Sequence, residues 1–140
     1  MRRRIAVAAG AVALAGAALA AAPVPAPIAG HWVTEQGKAL VEVGACGART
    51  CGRIIRVLRP DPGAPTTDVL NPDRALRTRP IVGLVFLTGF APDGDRWRGR
   101  IYDPQSGRSY RSELIRSAAA LKVRGCIGPF CRTQTWTEAR

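Results

Sequence analysis

The four cysteines are the side chains with the clearest chemical potential, and they form two pairs with the same spacing. Cys46 and Cys51 bracket one short loop, and Cys126 and Cys131 bracket another. Four cysteines allow three disulfide connectivities, of which local pairing is the simplest because each pair would close a turn. A structural zinc site remains compatible with this spacing, whereas redox-active pairs usually have the Cys-x-x-Cys form. We predict the disulfides Cys46–Cys51 and Cys126–Cys131.

Catalytic chemistry has little support in the remaining residues. His31 is the only histidine, which excludes a histidine-based metal site by count, and a Ser-His-Asp triad needs partners that sequence does not place. Asp68, Asn71 and Asp73 could offer oxygens to calcium, but Pro72 interrupts the run and the spacing is not that of the EF-hand loop. We therefore predict a protein without catalytic residues, metal or cofactor, in which these polar residues cap turns.

The three tryptophans allow two interpretations. Tryptophan usually fills a core, because it buries a large apolar area and its N–H finds a partner there. Alternatively, one or two of them line a pocket inside the fold, together with polar residues of a long loop. The predicted ligand-binding residues are Trp32, Trp97, Trp136, Asp68, Asn71 and Arg79.

The chain is strongly basic, with a formal net charge of +11. A basic surface is predicted from four arginines at outward positions of strand-like segments: Arg96, Arg98, Arg100 and Arg124. The simpler interpretation is a solvated face, and the functional one is attraction to an anionic envelope component such as a lipid headgroup. The N-terminal residues resemble an export signal, and an exported protein is not expected to bind nucleic acid.

That export signal is indicated by the N-terminal composition. Arg2, Arg3 and Arg4 precede an uncharged apolar stretch, and Ala18-Leu19-Ala20 fits the small-x-small cleavage pattern. We predict a signal peptide at residues 1–20, a Pro/Ala-rich linker at 21–29 and one domain at 30–140. An uncleaved anchor is the rival interpretation, which the high alanine content disfavours.

Cleavage of the signal would remove three arginines and no acids, leaving 18 basic and ten acidic side chains and a net charge of +8. It would also leave no transmembrane segment. Disulfides persist in oxidising compartments, so we expect a periplasmic or secreted protein, and we expect it to be a monomer.

About eight short strand-like segments must position all of these residues. Residues 96–102 and 121–127 alternate between apolar and polar side chains, as half-buried strands do. Residues 60–79 are instead rich in proline and aspartate, and a loop of this length is often functional. The predicted strands are 31–35, 39–45, 53–59, 81–90, 96–102, 109–116, 121–127 and 132–138. Strands joined mostly by tight turns predict an all-β chain, a single antiparallel meander closed into a barrel.

Several motifs together resemble the DUF2147 family of exported bacterial proteins of unknown function. The resemblance covers residues 30–138 and is carried by these segments: Gly30-x-Trp32, Cys46-Gly47-x-x-x-Cys51-Gly52, Asp68-x-x-Asn71-Pro72, Arg79-Pro80-Ile81-x-Gly83, Gly99-x-Ile101-Tyr102-Asp103-Pro104, Leu121-Lys122-Val123-Arg124-Gly125 and Thr133-Gln134-Thr135-Trp136-Thr137. The family pattern usually continues with arginine, where this chain has Glu138. The Gly30-x-Trp32 opening is also similar to the lipocalin signature, which implies a lipocalin-like or calycin-like barrel with tryptophan at its floor.

Two non-enzymatic functions follow from these expectations. In the first, the barrel holds a small apolar or amphipathic ligand, and residues 60–79 form a lid. In the second, the barrel has a filled core and binds an envelope partner through its basic surface. The state of the barrel interior distinguishes them.

Overall fold

The computed structural model describes residues 15–140, so the first 14 residues of the predicted signal peptide lie outside the described part of the chain. The described residues form eight strands and two short 3-10 helices, Glu35–Gly37 and Arg74–Leu76. The strands are β1 (Gly30–Val33), β2 (Ala39–Cys46), β3 (Arg49–Val57), β4 (Val85–Asp93), β5 (Arg96–Asp103), β6 (Arg108–Ser117), β7 (Ala120–Ile127) and β8 (Phe130–Glu138).

Each strand pairs antiparallel with the next in sequence, and β1 pairs with β8 to close a barrel. The closing ladder is short and joins Trp32 to Glu138 and Val33 to Thr137. The predicted antiparallel meander barrel of about eight strands is therefore confirmed. Closure pairs the first and last strands with each other over these residues, which shortens the sheet edge that a strand of another chain could add to.

The start of β4 differs from the prediction of a buried strand at residues 81–90. Gly83 has a φ of 93°, and its N–H donates to the carbonyl of Ile54, while the Leu84 carbonyl accepts from the Ile54 N–H. The chain therefore turns beside β3 at Gly83 and enters the ladder at Val85. Sequence patterns did not show this because residues 81–87 are uniformly apolar apart from the glycine.

The alternation predicted for β7 is present in the structure. Leu121 and Val123 are buried, whereas Lys122 and Arg124 are exposed.

Two inward glycines make room for large neighbours, since a Cβ on Gly99 would lie 2.6 Å from the Phe90 ring and one on Gly52 would lie 2.7 Å from Leu87. The core is therefore packed closely at these levels of the barrel.

The two ends of the barrel are built differently. At one end, here called the mouth, lie the connections at residues 34–38, 58–84, 104–107 and 128–129. At the other end, here called the floor, lie the tight turns at residues 47–48, 94–95 and 118–119 together with the segment that precedes β1. All of the long connections of the barrel are thus at the mouth.

The segment before β1 seals the floor through three consecutive carbonyls. Ala26 accepts from Trp97 Nε1 at 2.9 Å, Pro27 from Arg116 Nη1 at 3.2 Å, and Ile28 from Trp32 Nε1 at 3.0 Å. The Ile28 side chain is buried in the core. The last part of the segment predicted as a linker, residues 26–28, thus lies on the barrel and buries apolar surface.

Arg116 joins four parts of the floor. Its guanidinium carbon lies 5.1 Å from the centre of the Trp32 ring, and Nη2 donates to Glu138 at 2.9 Å. Its Nε donates to the carbonyl of Ala118. Glu138, which stands where the family pattern has arginine, therefore orients an arginine of β6 over the buried tryptophan.

We predict that Arg116→Ala lowers the free energy of unfolding by about 2–3 kcal/mol, because it removes a cation–π contact and several hydrogen bonds to a charged donor. Urea denaturation followed by circular dichroism measures this difference. Arg49→Ala is the matched control, since Arg49 is an exposed arginine at the same end of the barrel. Equal losses for the two variants would contradict the role assigned to Arg116.

Candidate ligand-binding cavity

The barrel encloses a cavity of about 1030 Å³ that is lined by residues of the mouth and of the upper barrel wall. Pockets for small ligands in proteins usually have volumes of about 300–1,000 Å³. The upper part of the barrel therefore has space that side chains do not fill, which favours the first of the two functions expected from the sequence.

The deep wall of the cavity is apolar. It is formed by Val41, Ile54, Phe86, Val123 and Trp136, all of which are buried. The Phe86 and Trp136 rings lie 6.0 Å apart at an angle of 31°. Such a surface favours an aliphatic or aromatic group over a hydrated one, because transfer of apolar area out of water is favourable.

The inner face of β8 becomes more polar and more exposed towards the mouth. Trp136, Gln134, Arg132 and Phe130 alternate with outward residues and all line the cavity. Trp136 is 1% exposed and Phe130 is 81% exposed. Trp136 Nε1 donates to Gln134 Oε1 at 3.0 Å, so the deepest polar groups satisfy each other.

Charged side chains surround the opening. Lys38 Nζ lies 3.0 Å from Asp61 Oδ1, and Arg132 Nη2 lies 3.8 Å from Glu35 Oε2. Arg59 donates to the backbone carbonyl of Gln36 at 3.2 Å. The Arg59 and Arg132 guanidiniums thus keep donors that an anionic group at the mouth could use.

The long connection at residues 58–84 forms one side of the mouth and is fixed by a buried carboxylate. Asp68 is 0% exposed and accepts hydrogen bonds from Tyr102 Oη at 2.6 Å and Asn71 Nδ2 at 2.8 Å. Arg79 donates to the same carboxylate through Nε at 2.9 Å, and its Nη2 forms an ion pair with Oδ2 at 2.8 Å. These contacts attach the loop to β5.

The hydrogen bonds also set the protonation state of this cluster. Burial raises the pKa of Asp68, but the hydrogen bonds from Tyr102, Asn71 and Arg79 outweigh it and hold the pKa below its ordinary value of 3.8. Burial and the hydrogen bond to Asp68 raise the pKa of Tyr102. The carboxylate is therefore ionised and fully hydrogen-bonded at neutral pH.

Asp68, Asn71 and Arg79 were predicted to bind ligand, and the structure gives them another position. They bind one another and Tyr102, and the cavity is lined instead by their neighbours Thr66, Thr67 and Leu70. Tyr102 was not singled out from the sequence. The partner of a loop carboxylate that lies 34 residues along the chain is not marked by any local pattern.

The three tryptophans have separate positions. Trp136 lines the cavity, whereas Trp32 and Trp97 lie at the floor and donate to the segment before β1. One tryptophan therefore lines the cavity, and a role of Trp136 in ligand binding stays a prediction. Alternation along residues 96–102 placed Trp97 on the inner face, but the sequence did not show the level of the barrel at which each tryptophan lies.

The predicted basic surface is partly neutralised. Arg96, Arg98 and Arg124 converge on Glu113 of β6, with N–O distances of 3.0, 3.5 and 3.7 Å. Arg98 also pairs with Asp93 and Arg96 with Asp95. The fourth arginine, Arg100, lies outside this network and directly opposite Arg111 of β6.

The structure pairs the cysteines locally, as Cys46–Cys51 at the floor end and Cys126–Cys131 at the mouth. Within residues 15–140, no group of three or more His, Cys, Asp or Glu residues is placed to hold a metal ion. The same residues contain no helix that is both long and apolar enough to cross a membrane. His31 lies on the outer surface of β1, 3.6 Å from Glu42.

We predict that Asp68→Asn lowers the free energy of unfolding at pH 7 by about 2–4 kcal/mol, because it leaves Arg79 without its buried partner. The difference in unfolding free energy between the two proteins should shrink as the pH falls below 3.8 and through the lower pKa of folded Asp68. Protonation of Asp68 in the wild type then removes the same negative charge that the Asn variant lacks. Urea unfolding at pH 7 and pH 3 measures both effects. Asp73→Asn in the same loop is the control, and a pH-independent difference for Asp68→Asn would contradict this account.

Comparison with known proteins supports the fold described above. The barrel is similar to protein HP1028 from the human pathogen Helicobacter pylori, described as belonging to the lipocalin family, with a TM-score of 0.71 and 22% sequence identity over 81% of this chain and 84% of that chain. At this identity the similarity establishes a lipocalin-like fold. No curated protein matches the sequence significantly.

The family resemblance noted in the sequence motifs is confirmed over its full extent. The model of DUF2147, described as an uncharacterized protein conserved in bacteria, matches residues 30–138, which include all eight described strands. The chain therefore belongs to the DUF2147 family.

Proposed function

We propose that this protein is a non-enzymatic binding protein that holds a small amphipathic molecule with its apolar part in the barrel and its polar head at the mouth. The observation that carries the proposal is the cavity of about 1030 Å³ with an apolar deep wall and charged groups around its opening. A ligand placed in this way would bury its apolar surface and keep its head hydrated.

The mouth favours a negatively charged head. Arg132 lies on the inner face of β8, one inward position nearer the mouth than Gln134. Arg59, which follows β3, also lines the cavity. Both guanidiniums can donate to a carboxylate or phosphate in addition to their present contacts. Lys38 is less available, because Asp61 already accepts two hydrogen bonds from it.

Export to the periplasm or the exterior is part of the same proposal. It is supported by the two locally paired disulfides, since such bonds persist in oxidising compartments. It is also supported by the N-terminal composition, with three arginines before an apolar stretch and a small-x-small site at residues 18–20. The mature chain would then begin at residue 21 and contain the domain at residues 30–140.

The alternative of a filled-core barrel is less consistent with the cavity. A role for the basic surface in envelope binding stays open, but three of its four arginines share Glu113. Their attraction to a polyanion is thereby reduced, because the field of a cation is weakened by a neighbouring carboxylate.

Filling part of the cavity should weaken binding without unfolding the barrel. A side chain at Gly125, which lines the cavity, has room at its Cβ, since the nearest atoms are in Ile101 at 3.7 Å and Tyr110 at 3.9 Å. We predict that Gly125→Leu weakens binding of a long-chain fatty acid roughly ten-fold, because overpacking typically costs about 1–3 kcal/mol. Quenching of Trp136 fluorescence during titration with oleate reports the binding.

Gly44→Leu is the matched control for this variant. Gly44 lies on the outer face of β2, and no atom is found within 4 Å of an added Cβ. Trp136→Phe should remove the fluorescence response, and Trp97→Phe should leave it intact. If wild-type protein gives no response to oleate or to lysophospholipid, the proposed binding function is wrong.

A second measurement tests the orientation of the ligand. We predict that Arg132→Gln weakens binding of oleate by about five-fold, the effect of losing one charge-assisted hydrogen bond at an exposed site, and leaves binding of oleyl alcohol almost unchanged. Competition with a fluorescent fatty acid measures both affinities. Equal losses for the acid and the alcohol would show that Arg132 does not contact the head group.

A further inference from the structure

The tip of the β7–β8 hairpin exposes two large apolar side chains at the mouth. Ile127 is 54% exposed and Phe130 is 81% exposed, and they face each other across the hairpin. Leu70 and Val82, each 53% exposed, continue this apolar surface around the rim of the cavity. A cluster of exposed apolar side chains marks a contact surface more often than a solvated one.

Two arginines lie beside this tip without acidic partners. Arg100 of β5 stands directly opposite Arg111 of β6, and both are exposed. Arg111 stands opposite Cys126 on its other side and donates through Nη2 to the carbonyl of Gly128 at 3.2 Å, which places its guanidinium at the base of the tip. No ion pair joins either arginine to a carboxylate within residues 15–140, and Glu113, the acid two positions from Arg111, is occupied by three other arginines.

This arrangement is unfavourable for an isolated barrel. Like charges directly opposite each other on neighbouring strands destabilise a sheet. The next row of outward residues towards the floor has no such repulsion between opposite arginines, because Glu113 lies between Arg98 and Arg124. The Arg100–Arg111 pair is therefore explained best by an anionic partner that compensates both charges.

Exposed apolar side chains that lie beside two arginines match the interface of an anionic bilayer. Aromatic and aliphatic groups enter the boundary between headgroups and acyl chains, and arginines bind the phosphates above them. We call Ile127, Phe130, Arg100 and Arg111 the rim patch. We propose that the rim patch docks the mouth of the barrel on an anionic lipid bilayer, with Ile127 and Phe130 inserted and Arg100 and Arg111 on lipid phosphates.

The charge and shape of the patch favour a bilayer over a second copy of this chain. A second copy would bring Arg100 and Arg111 against an equally basic surface in a symmetric contact, which requires the same patch on both partners. The tip is also a protruding turn, Gly128-Pro129, rather than a groove. Arg100 and Arg111 lie on the outer surface, whereas Ile127 and Phe130 lie at the rim of the cavity. All four side chains are defined without a ligand in the cavity, so the inference does not depend on one.

Vesicle flotation tests the proposal. Residues 21–140 contain all eight strands and the segment that seals the floor, and lack the apolar N-terminus that would bind lipid by itself. We expect this protein to float with vesicles of phosphatidylglycerol and phosphatidylethanolamine, and to stay in solution with vesicles of phosphatidylcholine. Binding should weaken as the salt concentration rises, because the headgroup charges are screened.

Variants separate the rim patch from the overall charge. Arg100→Glu with Arg111→Glu should lower partitioning at least about 25-fold, since each cation near an anionic surface strengthens binding about five-fold. Phe130→Ser should lower it roughly ten-fold through loss of inserted apolar area. Arg49→Glu with Lys122→Glu is the matched control, with the same change in net charge at exposed positions nearer the floor.

Three outcomes would overturn the proposal. Equal losses for the two double variants would show that net charge alone attracts the protein. Equal binding to neutral and anionic vesicles would remove the role of the arginines. Absence of vesicle binding, together with a dimer in analytical ultracentrifugation that Phe130→Ser dissociates, would assign the tip to self-association.

Discussion

Closure of the sheet between β1 and β8 is the constraint on which the rest of this structure depends. β1 has four residues, and its ladder with β8 joins two pairs of residues. So short a ladder contributes few hydrogen bonds, and the joint is reinforced by other groups. Arg116 of β6 binds Glu138 of β8, covers the Trp32 ring of β1 and holds the carbonyl of Pro27. One guanidinium thus connects the strands on both sides of the closure.

Packing at the floor explains why the barrel can remain hollow at the mouth. Trp32, Leu87, Phe90, Leu114 and Leu121 are almost completely buried, and the carbonyls of residues 26–28 satisfy the polar atoms of the two floor tryptophans and of Arg116. A closely packed floor supplies apolar burial that does not depend on what occupies the upper barrel. The upper wall, with Gly125 and Val123, is therefore free to keep a cavity that a ligand can enter.

The outer surface shows the same division between satisfied and available groups. Around Glu113, three arginines share one carboxylate and form a network that contributes locally to the surface of β5, β6 and β7. One row nearer the mouth, Arg100 and Arg111 face each other and lie beside exposed apolar side chains. The long loop that follows β3 is held by a buried carboxylate, which accepts three hydrogen bonds from three residues and forms an ion pair with one of them. These contacts attach the loop at the mouth to β5.

Sequence by itself determined the class of fold and the family. Alternation along β5 and β7, turn residues between short apolar runs and the motifs from Gly30 to Thr137 are local features, and a strand reports its two faces through neighbouring residues. The tertiary structure alone decided three other matters: the hollow upper barrel, the placement of Trp136 and not Trp32 or Trp97 at the cavity, and the contact of Asp68 with Tyr102. Each depends on register between strands and on the level along the barrel axis, and period-two alternation carries no information about either.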